Sequence, residues 1–376
     1  MSDQRRIPCV IARGGTSKGI YIKENHLPPA GPERDRVILN VFGSPDIRQI
    51  DGLGGADPLT SKLAIIGPPS RPDADVDYTF AQVSLKTPVV DYSGNCGNIS
   101  SFVGPFAIDE GLIKAVEPIT TVRIHNTNTG KLLLAEVPVR DGYAQTRGDC
   151  ALDGVPGTGA KIMLDFADTL GSATGKLLPS GRAKEWLKTS AGEFEVSLVD
   201  CANAMVFIKA ESLGLKGIEG PGEIDGDKTL LDTLEAIRGA AAVAMGLAAS
   251  AEEALAKSPA FPMLAIISPP ADYRSYSTGD PVQADSVSFV ARNMFMQVLH
   301  KTYAGTGTVC TGVAASIPGT VVAEVRAGQA KWGYQINIGH PCGIIPVEAE
   351  VENGVVRRAA FARTARRIME GYVFIA

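Results

Sequence analysis

An internal repeat constrains this chain more than any other feature of its sequence. Leu63-Ala64-Ile65-Ile66-Gly67-Pro68-Pro69 returns as Leu264-Ala265-Ile266-Ile267-Ser268-Pro269-Pro270, an offset of 201 residues. Tyr21-Ile22-Lys23 with Leu27 matches Phe207-Ile208-Lys209 with Leu213 at an offset of 186. Asp141-Gly142, after Val137-Pro138-Val139 and before Tyr143, matches Asn353-Gly354 and its valine-rich flanks at an offset of 212. The offsets grow steadily along the chain, as two copies diverging by small insertions would produce. A chain that repeats once at about half its length is expected to fold as two related halves.

The 376 residues agree, since about 150 residues per domain gives two domains. Asp-Gly and Asn-Gly between β-rich runs are hairpin signals. Tyr78 to Leu85, Val122 to Ile124, Leu132 to Val139 and Val287 to Val290 read as strands. Val37, Ile38, Val41 and Phe42 recur at helical spacing after Pro32-Glu33, with Gly43 as the stop. Leu230, Leu231, Leu234, Ile237 and Ala241 do the same after Asp227. The fold class expected is therefore α+β, with mostly antiparallel strands and a substantial helix in each half. Gly171, Ser172, Gly175, Pro179, Ser180 and Gly181 cluster between the halves, so the domains expected are 1–180 and 181–376.

Composition narrows the function. The net charge of −5 offers no bulk attraction for nucleic acid or an anionic membrane. The one basic stretch, Arg357, Arg358, Arg363, Arg366 and Arg367, reads as a solvated or carboxylate-paired face. Six cysteines, at 9, 96, 150, 201, 310 and 342, contain no C-x-x-C pair, so neither a disulfide scaffold nor a zinc site is signalled. Five of them read as packing residues. The charge-free apolar stretch Gly239 to Ala251 is well short of a membrane span, and Met1 to Arg6 carries no leader-like core. The expectation is a soluble, reduced, cytoplasmic protein.

No G-x-G-x-x-G follows a strand-like run, and Gly171 to Leu177 falls one residue short of a phosphate loop. There is no H-E-x-x-H. Chemistry without a metal or organic cofactor is what remains. Ser93-Gly94-Asn95-Cys96-Gly97-Asn98 follows a strand-like run and precedes Ile99, Phe102, Val103, Phe106 and Ala107 at helical spacing. Cys96 thus falls at a helix N-terminus, where exposed N–H groups favour an anion and a thiol can become reactive. A buried structural cysteine in a glycine turn is the plainer alternative. In the second half Ala304-Gly305-Thr306-Gly307-Thr308 precedes Val309, Cys310, Val313 and Ala314, and Ala304 takes the place of Cys96 at an offset of 208. Two such helix ends could hold two carboxylates of one small substrate.

These stretches resemble the diaminopimelate epimerase-like superfamily, and within it the PrpF-type isomerases. Arg13 to Gly19, Gly43 to Asp46, Gln49 to Gly52, Ser61-Lys62, Ser93 to Asn98, His300 to Gly307 and Arg363 to Gly371 carry the likeness, which runs end to end. It implies two pseudo-symmetric domains, each a sheet wrapped around a central helix, with the C-terminal tail packing back on the first half and a homodimer as a family-level expectation. It also implies Lys62 and Cys96 as an acid/base pair. Ser17, Asn95, Gly97, Asn98, His300, Gly305, Thr306, Gly307 and Thr308 are implied as substrate-binding residues. Arg13 and Arg48 are further candidates for carboxylate clamps.

The implied reaction moves a C=C bond by a 1,3-allylic proton shift in a small unsaturated di- or tricarboxylate, first of all 3-methylitaconate to 2,3-dimethylmaleate. Aconitate, methylaconitate and 4-oxalomesaconate are the alternative substrates. Epimerases of the superfamily use two opposed cysteines. Here Ala304 and Met263 stand opposite Cys96 and Lys62 in the repeat, so the acid/base pair belongs to one half. Racemisation by Cys96 with Cys310 is a competing enzymatic reading, and a non-catalytic carboxylate-binding protein is a reading of another class. As a base, Lys62 would have to lose its proton near neutrality, starting from an ordinary value near 10.4; a drop of about three decades corresponds to about 4 kcal/mol.

Overall fold

The computed structural model describes residues 4–327 and 333–375. Met1 to Asp3, part of the segment read for a leader, lie outside them. The chain divides into two compact units, Met1–Leu164 with Arg363–Ala376, and Asp165–Ala362.

In the first unit the strands β1 (Arg5–Gly14) and β2 (Ser17–Lys23) form a hairpin, and helix α1 (Pro32–Phe42) follows. Next come β3 (Lys62–Gly67), β4 (Val76–Val83), helix α2 (Gly97–Asp109), β5 (Ile119–Asn126) and β6 (Lys131–Arg140). β1 and β2 are antiparallel, β2 and β3 parallel, β3 and β4 antiparallel, β4 and β5 parallel, β5 and β6 antiparallel. Each parallel pair needs a crossover, and α1 and α2 supply the two. The C-terminal strand Ala365–Ile375 pairs antiparallel with the outer edge of β1, from Arg5↔Ile375 to Gly14↔Ala365.

The second unit repeats this order. Its strands are β7 (Glu185–Thr189), β8 (Gly192–Cys201) and β9 (Asn203–Lys209), then helix α3 (Lys228–Ala244), β10 (Met263–Ser268) and β11 (Phe289–Phe295). Helix α4 (Gly305–Ala315), β12 (Gln335–His340), β13 (Gly343–Glu352) and β14 (Val355–Arg363) complete it. β8 to β13 follow the same alternation as β1 to β6: antiparallel, parallel, antiparallel, parallel, antiparallel. β7 lines the edge of β8 as the C-terminal strand lines β1. The α+β class and the repeat are thus expressed strand by strand, with parallel pairs at the crossovers among the antiparallel ones.

Local chemistry explains the elements. Gly43 closes α1 at φ 72, and the Asp227 carboxylate caps α3 by accepting from Leu230 N at 3.0 Å. Asp141-Gly142 (φ 54 and 78) and Asn353-Gly354 (φ 50 and 76) each place two left-handed residues in a tight turn. Val287 ends a 3-10 turn, so the strand expected from it begins at Phe289. The Gly171–Gly181 cluster lies inside the second unit. There the buried Asp200 carboxylate gathers Ser172 Oγ (2.9 Å), Ala173 N (2.9 Å) and Thr174 N (2.6 Å), so these turn residues wrap an anion.

The two central helices have no polar face. Every residue of α2 from Gly97 to Ile108 is buried, as is all of α4, the pattern of a helix enclosed by its own sheet. Each carries a glycine where the sheet comes closest. A Cβ on Gly104 would meet Val137 Cγ2 at 2.7 Å, and one on Gly312 would meet Val347 Cγ1 at 2.7 Å. Gly104→Val is therefore expected to lower the urea midpoint of unfolding by the equivalent of about 1–3 kcal/mol. An unchanged midpoint would show that α2 does not depend on this close approach.

Candidate active site

Three segments of the first unit meet at the start of α2. Cys96 is the N-cap residue, extended at φ −120 and ψ 102, and its side chain makes no capping hydrogen bond. The β1–β2 hairpin lies against the first turn: a Cβ on Gly14 would be 2.2 Å from Asn98 O, and one on Gly15 would be 2.2 Å from Asn98 Oδ1. Gly19 sits equally close to β3, where a Cβ would be 2.9 Å from Lys62 O. Gly14 and Gly19 are thus places where backbone comes close to backbone, and Gly15 is one where backbone comes close to the Asn98 side chain.

Lys62 opens β3 and is buried at 3% exposure. Its Nζ donates to Gln82 Oε1 at 2.6 Å and lies 5.5 Å from the centre of the Phe80 ring. Burial pulls its pKa below the ordinary lysine value, while the charges of Cys96 and Asp57 push it back up. Lys62 and Cys96 therefore share one electrostatic environment. Ser17, the first residue of β2, is buried, and its Oγ has no hydrogen-bond partner among the described residues. An orphaned buried hydroxyl in such a place calls for a ligand or water.

Other expected residues are held inside the protein. Asn98 Oδ1 accepts from Arg363 Nε at 2.9 Å, and its Nδ2 donates to Thr16 Oγ1 at 3.1 Å. Asn95 Oδ1 accepts from Ser100 Oγ at 3.2 Å. What Gly97 and Asn98 offer a ligand is therefore the backbone of the first helical turn. Arg363 is buried, whereas Arg357, Arg358 and Arg367 pair with carboxylates as the basic stretch predicts. Arg363 departs from that reading because it begins the C-terminal segment of the first unit, where Asn98 Oδ1 takes its guanidinium. Arg13 reaches Gly15 O and Thr364 O, both at 2.8 Å, and Thr364 Oγ1 at 3.0 Å, so it ties the hairpin to the C-terminal strand. Arg48 is exposed in the loop after α1.

In the second unit Ala304 is the N-cap of α4, again without a side-chain cap. Three other helices differ, since Asp227, Ser250 and Thr320 cap theirs through their side chains, whereas α1 begins at Gly31 without such a cap. Two central helices with uncapped N-termini and no acidic residue in the first turn keep N–H groups for an anion. Thr306 Oγ1 accepts from Asn203 Nδ2 at 2.7 Å, and Thr308 Oγ1 donates to Ala304 O at 3.0 Å, so both side chains support the turn. His300 is buried, and its Nδ1 accepts from Thr302 N at 3.2 Å, which places the proton of the neutral ring on Nε2. Cys310 lies in the α4 interior with Sγ donating to Val199 O at 3.5 Å, and burial pushes its pKa well up. Of the other cysteines only Cys150 is half-exposed, against the expectation that it packs in a core; the short Cys150–Leu152 strand pairs only with its own hairpin partner.

A family model described as PrpF protein matches residues 4–376. The chain belongs to the PrpF family. It is 60% identical over 375 residues to the 3-methylitaconate isomerase of Eubacterium barkeri, covering 100% of this chain and 98% of that protein. The 4-oxalomesaconate tautomerase of Pseudomonas putida is 39% identical over 372 residues, covering 99% of this chain and 97% of that one. Among solved structures, a methylitaconate-delta-isomerase crystal structure superimposes with a TM-score of 0.82 at 60% identity, covering 100% and 96% of the two chains. A hydroxyproline epimerase from Agrobacterium vitis superimposes with a TM-score of 0.58 at 13% identity over 100% of this chain and 94% of that one. That likeness is one of fold and places this PrpF chain in the epimerase-like architecture expected for it.

Sequence reasoning missed Gln82, Asn203 and the buried role of Arg363. Gln82 stands 20 positions from Lys62 and only the β3–β4 register, Lys62↔Gln82, brings them together. No local pattern marks it.

Proposed function

We propose that this PrpF-family protein is an isomerase that moves a C=C bond by a 1,3-allylic proton shift in a small unsaturated dicarboxylate, with 3-methylitaconate as substrate and 2,3-dimethylmaleate as product. The observation that carries the reading is a buried lysine in the same electrostatic environment as a cysteine at an uncapped helix N-terminus. Identity of 60% to a 3-methylitaconate isomerase supports the choice of substrate.

In this reading one member of the Lys62–Cys96 pair removes the proton on the carbon α to a carboxylate. The electron pair moves into the conjugated system as a dienolate, and the other member delivers a proton to the terminal methylene carbon. The double bond ends one position along, and a methyl group replaces the methylene. Exchange of both groups with solvent restores the starting state. Charge develops on carboxylate oxygens, where N–H groups such as those of Gly97 and Asn98 stabilise it. Ser17 Oγ supplies a hydrogen bond to the substrate. The chemistry asks for no metal or organic cofactor.

Cys310 is buried mid-helix, which favours this reading over two-thiol racemisation, since position 304 holds alanine. The substrate is tested by following ultraviolet absorbance with 3-methylitaconate, the aconitates, methylaconitate and 4-oxalomesaconate in parallel. Turnover highest on 3-methylitaconate is expected. Preference for a tricarboxylate or oxo acid would overturn the substrate, and binding without turnover of any of them would overturn the enzyme.

A further inference from the structure

The buried amide of Gln82 has each of its groups committed. Its Nε2 donates to Pro58 O and to Ser61 O, both at 3.1 Å, and its Oε1 accepts from Lys62 Nζ at 2.6 Å. Two carbonyl oxygens have no proton to give, and an ammonium has no lone pair. The amide therefore has one workable orientation, oxygen toward Lys62. The same bonds fix the chain on both sides of Ser61, immediately before the lysine.

The repeat supplies an independent comparison. Met263 opens β10 as Lys62 opens β3, and the register that pairs Leu264 with Met294 brings Phe295 opposite Met263. Where the lysine is absent the amide is absent too, and two apolar side chains fill both places. A glutamine needed only to build this strand pair would have a counterpart in the second half. Gln82 instead goes with the lysine.

We propose that Gln82 is the positioning residue for Lys62: its carbonyl oxygen holds Nζ in one place and, by accepting a hydrogen bond from one N–H, fixes where the remaining proton or lone pair points. The proposal rests on the reading that Lys62 exchanges a proton with substrate. An ammonium gains more from this acceptor than an amine does, so the bond opposes the effect of burial. The charged groups acting on Lys62 are Cys96 at the start of α2 and Asp57 in the loop before β3. β4 faces it with Phe80 and Gln82, and β2 pairs with it through Gly19.

The test compares Gln82→Leu and Gln82→Glu across a full pH profile, with Lys62 followed directly through the 13Cε resonance that Lys62→Met removes. Gln82→Leu is expected to lower kcat by about a hundredfold with little change in KM, because the amine is no longer held in place. Its Lys62 titration should move to lower pH. Gln82→Glu keeps an acceptor and adds a negative charge, so its titration should move to higher pH and recover activity there. Opposite displacements support the proposal. A Lys62 titration that stays put in both variants, or moves the same way in both, overturns it, even if thermal stability falls. The two readings separate cleanly. An active Lys62→Met protein removes the role of Lys62 itself, whereas an inactive one beside Gln82 variants of unchanged kcat and pH profile removes only the role of Gln82.

Discussion

Lys62→Met is expected to lower kcat/KM by about 10²–10⁴-fold and to stop exchange of the substrate's allylic proton with solvent deuterium. The fold should survive, because the second half already carries buried Met263 at the corresponding first position of β10. The pH dependence has a definite sign. Burial places the folded-state pKa of Lys62 below its value of 10.5 in the unfolded chain. Between those two values the unfolded chain binds the proton and the native protein does not, so native stability rises with pH across that window. That rise should vanish in Lys62→Met, as measured by chemical unfolding at several pH values. A Lys62→Met protein with full activity would exclude the lysine from proton transfer.

Cys96→Ala is expected to lower kcat by about 10²–10⁴-fold while leaving KM and the melting temperature close to those of the parent. Ala304 occupies the N-cap of α4, and Cys96 makes no capping bond through its side chain, so alanine at 96 costs the helix nothing it now has. The N–H groups of the first turn remain in place for the substrate carboxylate. A fall in kcat with binding kept is the signature of a group that acts on the proton. Binding lost together with turnover would make Cys96 part of the binding surface instead.

Much of this site is legible in the sequence because it depends on local chemistry. A glycine-flanked cysteine before Ile99, Phe102, Val103 and Phe106 can be placed at a helix start from spacing alone, and Ala304 follows from aligning the glycines. Asp141-Gly142 and Asn353-Gly354 announce their turns through the left-handed backbone they require. What stayed hidden depends on distant registers. Gln82 is one buried polar residue at the end of a strand, and nothing near it reveals that its partner is Lys62. Arg363 belongs to a run of arginines, most of which meet carboxylates. Its burial follows from a contact with Asn98 across 265 positions of sequence. The turn cluster at Gly171–Gly181 looks like a linker until the Asp200 carboxylate it encloses is seen.

NMR of the product formed in D2O reads out whether a proton is removed from one carbon and another delivered two carbons away by two different groups. With 3-methylitaconate the expected product is 2,3-dimethylmaleate carrying one deuterium in one methyl group, delivered at the former methylene carbon. Product that keeps the original proton throughout would contradict the two-group mechanism, and inversion at the allylic carbon without movement of the double bond would contradict the isomerisation itself.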